Sequence, residues 1–446
     1  MRYGRFILLA LLALCLALLA GCGGDDGGGG GGDGGETAAE GGTEAGAEGG
    51  ASGAVTIMAV WTGTEGESFQ AVLDAFQEAN PDVDINYRSA QDITTVLSTA
   101  IEGGNPPDVA ALPNPGLMRQ FAQRGAIQPL DFAQQTVEDN YTQDWIDLGT
   151  VDGTLYGVFF KGVNKSTVWY NVQAFEDAGV EPPEDWEGLQ EVAATLQASG
   201  VPAYSIGGSE GWTLTDLFEN IYLRTAGPDL YDQLAAHEIP WTHESVTEAL
   251  TTMGEILGDT ENIAGGTQGA LQTDFPTSVQ NVYTDPPKAA MVFEGDFVQG
   301  VITGETNAEP ETGYNVFAFP AIGDSGEGTI LGAGDVIVMF NDNEAAQALV
   351  EYLASPEAGE IWAGRGGFTS PNRNVGEDAY PDEISRAASA PLGTAETLRF
   401  DLSDVQPAAF GSDAMFRLLQ DFLGNPDDVQ GTAQKLERAA ARAYGR

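Results

Sequence analysis

The sequence predicts an α/β protein in which a parallel sheet is covered by helices on both faces. Short apolar, β-branched runs alternate with segments whose apolar residues recur at helical spacing, the pattern of strand–helix–strand units. The strand runs are apolar nearly throughout, as in strands buried on both sides. Length sets the scale, since 446 residues suffice for two domains, each with its own core.

The first strand is VTIMAVW, Val55–Trp61. A helix follows in GESFQAVLDAFQEAN, where Phe69, Val72, Leu73 and Phe76 fall on one face and Asn80-Pro81 ends it. VDINYR is a second strand, and DITTVLSTAIEGG a helix stopping at Gly103-Gly104. DVAAL, Asp108–Leu112, is a third strand, with a helix after Pro115. In such sheets ligands sit beyond the C-terminal strand ends, where Trp61 and Asn114 fall. LYGVFF and STVWYN read as the next strands, WEGLQEVAATLQA as a helix, and VPAYSI as a strand opening into GGSEGW. AAMVFEG, VFAFP and DVIVMF are later strands. A long amphipathic helix is expected from Glu344 through Ser355, continuing at Pro356 through Trp362, and helix throughout from Ala414 to Tyr444.

The N-terminus is not part of this fold. Arg2 and Arg5 precede an apolar run too short for a membrane span, ending in Leu19-Ala20-Gly21-Cys22. This resembles a bacterial lipobox, which predicts that residues 1–21 are a signal peptide and that Cys22 becomes a lipidated N-terminus. Cys15 would leave with the signal, so the folded part has no disulfide. Residues 22–54 form a Gly-rich acidic stretch with almost no apolar surface, a flexible tether spanning on the order of 30 Å. The expected location is the cell envelope, outside the cytoplasm and lipid-anchored to the membrane. With 18 Lys+Arg against 67 Asp+Glu, the net charge of −49 repels phosphate backbones, so nucleic acid is a poor partner.

Gly207-Gly208-Ser209-Glu210-Gly211 matches the G-x-S-x-G nucleophile elbow of serine hydrolases, which need an acid and then a His after the Ser. The two His, His237 and His243, lie close behind in HEIPWTHES, a polar loop entering a helix. The more economical reading is a Gly-rich turn that lets substrate approach a helix N-terminus. Two His and no folded Cys make no typical zinc site. No D-x-[DN]-x-[DN]-G calcium loop and no GxxxxGK[ST] nucleotide loop is present, so neither metal nor cofactor is expected. Paired carboxylates for glycoside hydrolysis stay open, because Asp and Glu abound. Aromatics are more telling: Trp61, Trp212 and Phe297 each stand where an apolar run gives way to a loop, beside Glu65, Asn114 and Asp296. Sugar rings stack their CH faces on such side chains while their hydroxyls take planar polar partners.

Several blocks carry a wider likeness: IEGGNPPDVAALPNPGLM, GVFFKGVNKSTVWYNVQAFEDAGVEPPEDWEGL, GWTLTDLFENIYLR, AAMVFEGDFVQG, LGAGDVIVMFND, EYLASPEAGEIWA and GGFTSPNRNV. In number and order they resemble the extracellular solute-binding proteins of ABC importers, carbohydrate-binding family 1, most like alpha-glucoside-type members. The likeness runs from about Val55 to near the C-terminus. It implies two α/β lobes of the periplasmic-binding-protein kind with an interlobe ligand cleft. Lobe 1 would take 55–160 and 321–374, and lobe 2 would take 161–320 and 375–446.

The likeness also implies site residues. Trp61 matches the Trp ending the first strand, and Asn164 the polar position before WYN, with Lys161 nearby. Phe297 matches an aromatic position where many sugar binders carry Trp, and Trp212 sits in the GW-x-x-TD stretch. Asp335, after the Gly332–Gly334 turn, and Arg373, in SPNR, join Glu65, Asp92, Asn114, Glu294 and Asp296 as the expected ligand-binding set. The implied activity is binding without catalysis, by a monomer that captures a small sugar and presents both lobes to a membrane permease. Two other readings stand beside it: a secreted carbohydrate-active hydrolase working through Ser209, and a surface adhesion or scaffold module.

Overall fold

The computed structural model describes residues 51–446 apart from 91, 324, 325, 327 and 396; the leader, Cys22 and nearly all of the Gly-rich stretch lie outside the described residues. Its strands are β1 (Gly53–Ala59), β2 (Val83–Ser89), β3 (Val109–Leu112), β4 (Thr150–Val151), β5 (Thr154–Leu155), β6 (Val158–Asn164), β7 (Thr167–Asn171), β8 (Met291–Phe293), β9 (Tyr314–Ala318), β10 (Thr329–Met339) and β11 (Thr397–Phe400). One sheet has the order β11-β10-β3-β1-β2, with β6 also on β10, and the other has the order β8-β7-β9.

Period-two alternation puts two cores on the larger sheet. Val109 and Ala111 of β3 face a cluster holding Val55, Ile57, Phe69, Val72, Leu73, Phe76 and Trp362. Ala110 and Leu112 face another, with Met118, Phe121, Val336 and Val338. In the smaller sheet Val168 and Tyr170 turn to a large helical cluster, and Trp169 to a second one with Val279, Val292 and Phe297. The Trp212–Ala226 helix lies at the centre of that lobe, buried on every face from Thr213 to Arg224. Along it Asp216, Asn220 and Arg224 recur every fourth residue, a polar stripe on a helix that has no solvent side.

The expected parallel pairing holds for β2-β1-β3 and for β10-β11; β10 runs antiparallel to β3 and to β6, and the smaller sheet is antiparallel throughout. The reason is the crossings. Between the lobes the chain passes directly from β6 into β7, and returns from β9 into β10, without the helical crossover that keeps strands parallel. Within the stretch 375–446, β11 pairs in parallel with the first residues of β10 and forms an edge of the larger sheet.

Local punctuation accounts for other differences. Ser355 accepts from the Ala358 backbone N–H and caps a new helix, Pro356–Ala363, so the 344–362 segment is two helices. The C-terminal helix is likewise divided, into Met415–Gly424 and Val429–Ala443, by Asn425-Pro426. VPAYSI forms no strand of its own; Tyr204 makes single bridges to Ile263 and Met291.

Gly211, the residue before the central helix, has φ +88°, and a Cβ there would stand 2.6 Å from the Phe416 Cβ. Gly211→Ala is expected to destabilise the protein by about 1–3 kcal/mol, whereas Gly424→Ala, in open space, should be near neutral. Urea denaturation of the two variants checks this, and equal midpoints would contradict it.

Candidate functional site

The polar groups of the crossing segments are buried because the sheet ladder holds them there. β6 is buried along its whole length, and its Lys161 stands opposite Asp335 in the β6–β10 register. Lys161 is 2% exposed and its ammonium pairs with Glu65, from the first turn of the Gly63–Ala79 helix. Burial works against its charge, but Glu65 and Asp335 outweigh that and raise its pKa. Asp335 accepts from the Trp61 indole N–H at 2.6 Å. Burial raises its carboxyl to about 6 against the pull of Lys161.

Three residues on, Asn164 ties the seam together. Its backbone N–H donates to Asp296 Oδ2 at 2.9 Å, and its amide donates to the Ala388 carbonyl at 2.8 Å. Asp296 Oδ2 also accepts from Thr369 Oγ1, while its Oδ1 meets no donor. Burial raises this carboxyl to about 6 as well. Next, Lys165 donates to Asp216 of the central helix at 2.9 Å and to Asp401, just past β11, at 2.6 Å. Burial pushes Asp401 up, yet Lys165 and the Ser403 hydroxyl outweigh it and hold the carboxyl below its usual range. Glu294, 3% exposed, has no donor on either oxygen, and Asp216 has none on Oδ2. Burial drives both carboxyls above the usual carboxylate range against the pull of Lys165, and Asp216 raises Glu294 further.

Aromatic rings wall this polar seam. Trp212, partly exposed at the start of the central helix, lies 5.9 Å from Phe297 and 5.2 Å from Phe275, centroid to centroid. The Lys165 ammonium stands 5.8 Å from the Trp212 ring. Lys161 lies 5.4 Å from Phe297 and 5.2 Å from Trp362, so one cation joins the two aromatic groups. Trp61 stacks edge-on to Trp362 at 4.9 Å. The seam is shut in this structure. A cavity of about 10 Å³, room for one water, lies behind Glu294 between Ser205, Gly207, Thr213 and Ser278. A second of the same size lies beside Glu65, between Ser68, Gly300, Trp362 and Arg365.

Of the expected residues, the structure gathers Trp61, Glu65, Lys161, Asn164, Trp212, Glu294, Asp296, Phe297 and Asp335 around this seam. Three others do different work. Asp92 is exposed and caps the Ile93–Glu102 helix through the Thr95 N–H. Asn114 is buried as the cap of the Pro115–Gln123 helix, accepting from the Leu117 N–H at 2.8 Å. Arg373 is exposed and donates to the Glu138 and Asp139 carbonyls, closing the end of the Gln134–Asn140 helix. Trp61 is 2% exposed and enclosed by Phe69, Phe160 and Trp362, so only its indole edge reaches the polar seam. Sequence reasoning passed over Lys165, Asp216 and Asp401. Two of these lie inside blocks already quoted, VNKST and GWTLTD; Asp401 carries no local signal.

The G-x-S-x-G stretch is a hydrogen-bonded turn that delivers Trp212. The Gly207 carbonyl accepts from Thr213, Gln420 donates to the Gly208 and Ser209 carbonyls, and Glu210 accepts from the Phe275 N–H. His237 bonds to Glu437, and His243 caps the Glu244–Leu257 helix and meets Ser245, so both imidazoles are engaged away from Ser209. Among the described residues no group of three or more His, Cys, Asp or Glu is arranged to hold a metal ion, and no helix is long and apolar enough to cross a membrane.

Two α/β lobes, joined by crossing strands and meeting at a seam of rings and carboxylates, define a two-lobe binding protein. The chain belongs to the family of bacterial extracellular solute-binding proteins, whose model matches residues 61–360. It is 36% identical over 382 residues to the osmoprotective compounds-binding protein GgtB of Synechocystis sp., covering 84% of this chain and 90% of that one. It is 33% identical over 402 residues to the alpha-glucosides-binding periplasmic protein AglE of Rhizobium meliloti, covering 85% and 86%. In fold it matches the bacterial solute receptor AcbH with a TM-score of 0.78 at 19% identity, over 88% of this chain and 99% of that one.

Raised carboxyls give the folded state an unusual pH response. A native state whose Asp296 and Asp335 titrate near 6 binds more protons than the unfolded chain between about pH 4 and pH 6. Stability from this source is therefore present at low pH and lost as pH rises through that window. Thermal midpoints should fall from pH 5 to pH 7.5, and the double variant Asp296→Asn, Asp335→Asn should flatten the slope. A midpoint that rises over the same interval would contradict the assignment.

Proposed function

We propose that this chain is the lipid-anchored receptor of a carbohydrate ABC importer, capturing a small sugar of the alpha-glucoside class between its lobes. The observation that carries this reading is the pairing of a ring wall, Trp212, Phe297 and Phe275, with buried carboxylates of Glu294 and Asp296 that have open acceptor oxygens. A pyranose offers what that pairing asks for, an apolar CH face and a rim of hydroxyl donors. The name of one relative, the alpha-glucosides-binding protein AglE, supports the same class.

In this reading the lobes open by bending at the β6–β7 and β9–β10 crossings, sugar enters, and its hydroxyls favour closure. The shift extends only as far as the ligand binds the closed form better than the open one. The closed form then offers both lobes to the permease, with Cys22 and the tether keeping the receptor at the membrane. No step of this scheme uses Ser209 as a nucleophile.

Thermal denaturation against maltose, sucrose, trehalose and galactose tests the reading, because a ligand that binds only the folded state raises the midpoint. Trp212→Ala should weaken the best of these by about 1–3 kcal/mol in titration calorimetry; unchanged affinity would return Trp212 to a purely structural role. Cys22→Ser should move the protein from the membrane fraction to the soluble one, and unaltered fractionation would remove the anchor.

A further inference from the structure

The two lysines at the seam are already paired with carboxylates. Lys161 pairs with Glu65, Lys165 with Asp216 and Asp401, and Arg365, beside Glu65, donates to Ser68 at 3.0 Å. Arg224, on the same helix as Asp216, spends its guanidinium on the Asn220, Phe319 and Thr329 carbonyls. Its Nε is left without a partner, and so are four carboxyl oxygens: both of Glu294, Oδ1 of Asp296 and Oδ2 of Asp216, on side chains that are 3%, 2% and 3% exposed. Ser205 Oγ, on the wall of the cavity behind Glu294, also lacks a partner.

We propose, resting on the receptor reading above, that the site chooses its glycoside by charge: the deep end formed by Glu294, Asp216 and Asp296 takes a ligand group that only donates hydrogen bonds, a protonated amine ahead of a hydroxyl, and turns away a uronic acid. A carboxylate entering there meets carboxyl oxygens in a place where water does not screen them, and both Lys161 and Lys165 are already paired. A hydroxyl supplies one donor and is accepted. An ammonium supplies three, and by its charge it favours the ionised form of carboxyls that burial keeps protonated, so protons pass to solvent. Discrimination of this kind comes from repulsion built into the site as much as from attraction.

The test is titration calorimetry of the full chain with α,α-trehalose, sucrose and maltose, each beside its 6-amino-6-deoxy derivative and its 6-uronate. The expected order is amine, parent, uronate, with the uronate weaker than its parent by about tenfold or more. The amine should release protons, read as a binding heat that changes between phosphate and Tris buffers. Glu294→Gln should narrow the gap between parent and uronate, with melting curves confirming that the variant folds. A uronate that binds as tightly as its parent overturns charge selection while the receptor reading survives. If no member of any series binds, both fall.

Discussion

Lys165 is the interaction on which the rest of the structure depends. It stands where the chain leaves β6 for β7, and its ammonium, 12% exposed, reaches the central helix at Asp216 and the turn after β11 at Asp401. Asp401 in turn accepts from the Asp404 backbone N–H and the Ser403 hydroxyl, and Glu219 of the same helix accepts from the Leu402 and Ser403 N–H groups. One cation therefore ties a crossing strand, the core helix of one lobe and the edge strand of the other. Removing one partner of a buried pair leaves the others uncompensated, a loss of about 3–5 kcal/mol in comparable sites.

Around this tie the protein keeps more negative charge than it can pair. Lys161 and Lys165 answer Glu65, Asp335, Asp216 and Asp401, while Glu294 and Asp296 retain open oxygens. In a closed seam burial disfavours their charged forms, which moves their titration upward. A strained polar cluster of this kind is poorly suited to be mere core, since replacing it by apolar residues would be easier to satisfy. It is well suited to meet hydroxyl donors. The ring wall beside it is built from separate elements, Trp212 at a helix start, Phe275 at another and Phe297 after β8.

Much of this was legible in the chain. The first three strands and their helices follow from apolar periodicity, and their C-terminal ends did mark Trp61 and Asn114. Three of the expected residues serve helix ends, for one reason. Asp92, Asn114 and Arg373 are polar residues at helix ends, and in sequence a cap looks the same as a ligand contact, because both present a planar hydrogen-bonding group beside a break in apolar pattern. Only the position of the backbone groups they satisfy separates the two.

Local chemistry, then, is what the linear chain determined: the strand and helix periods, the turn at Gly207–Gly211 that starts a helix with Trp212, and the blocks that mark the family. Tertiary structure alone decided that β10 returns antiparallel, that β11 joins the edge of the larger sheet, and that Lys165 meets Asp216 and Asp401. Those contacts join residues 51 and 236 positions apart. No periodicity reports on such a pair, because burial of a charge is set by what closes over it, and that is a property of the assembled lobes.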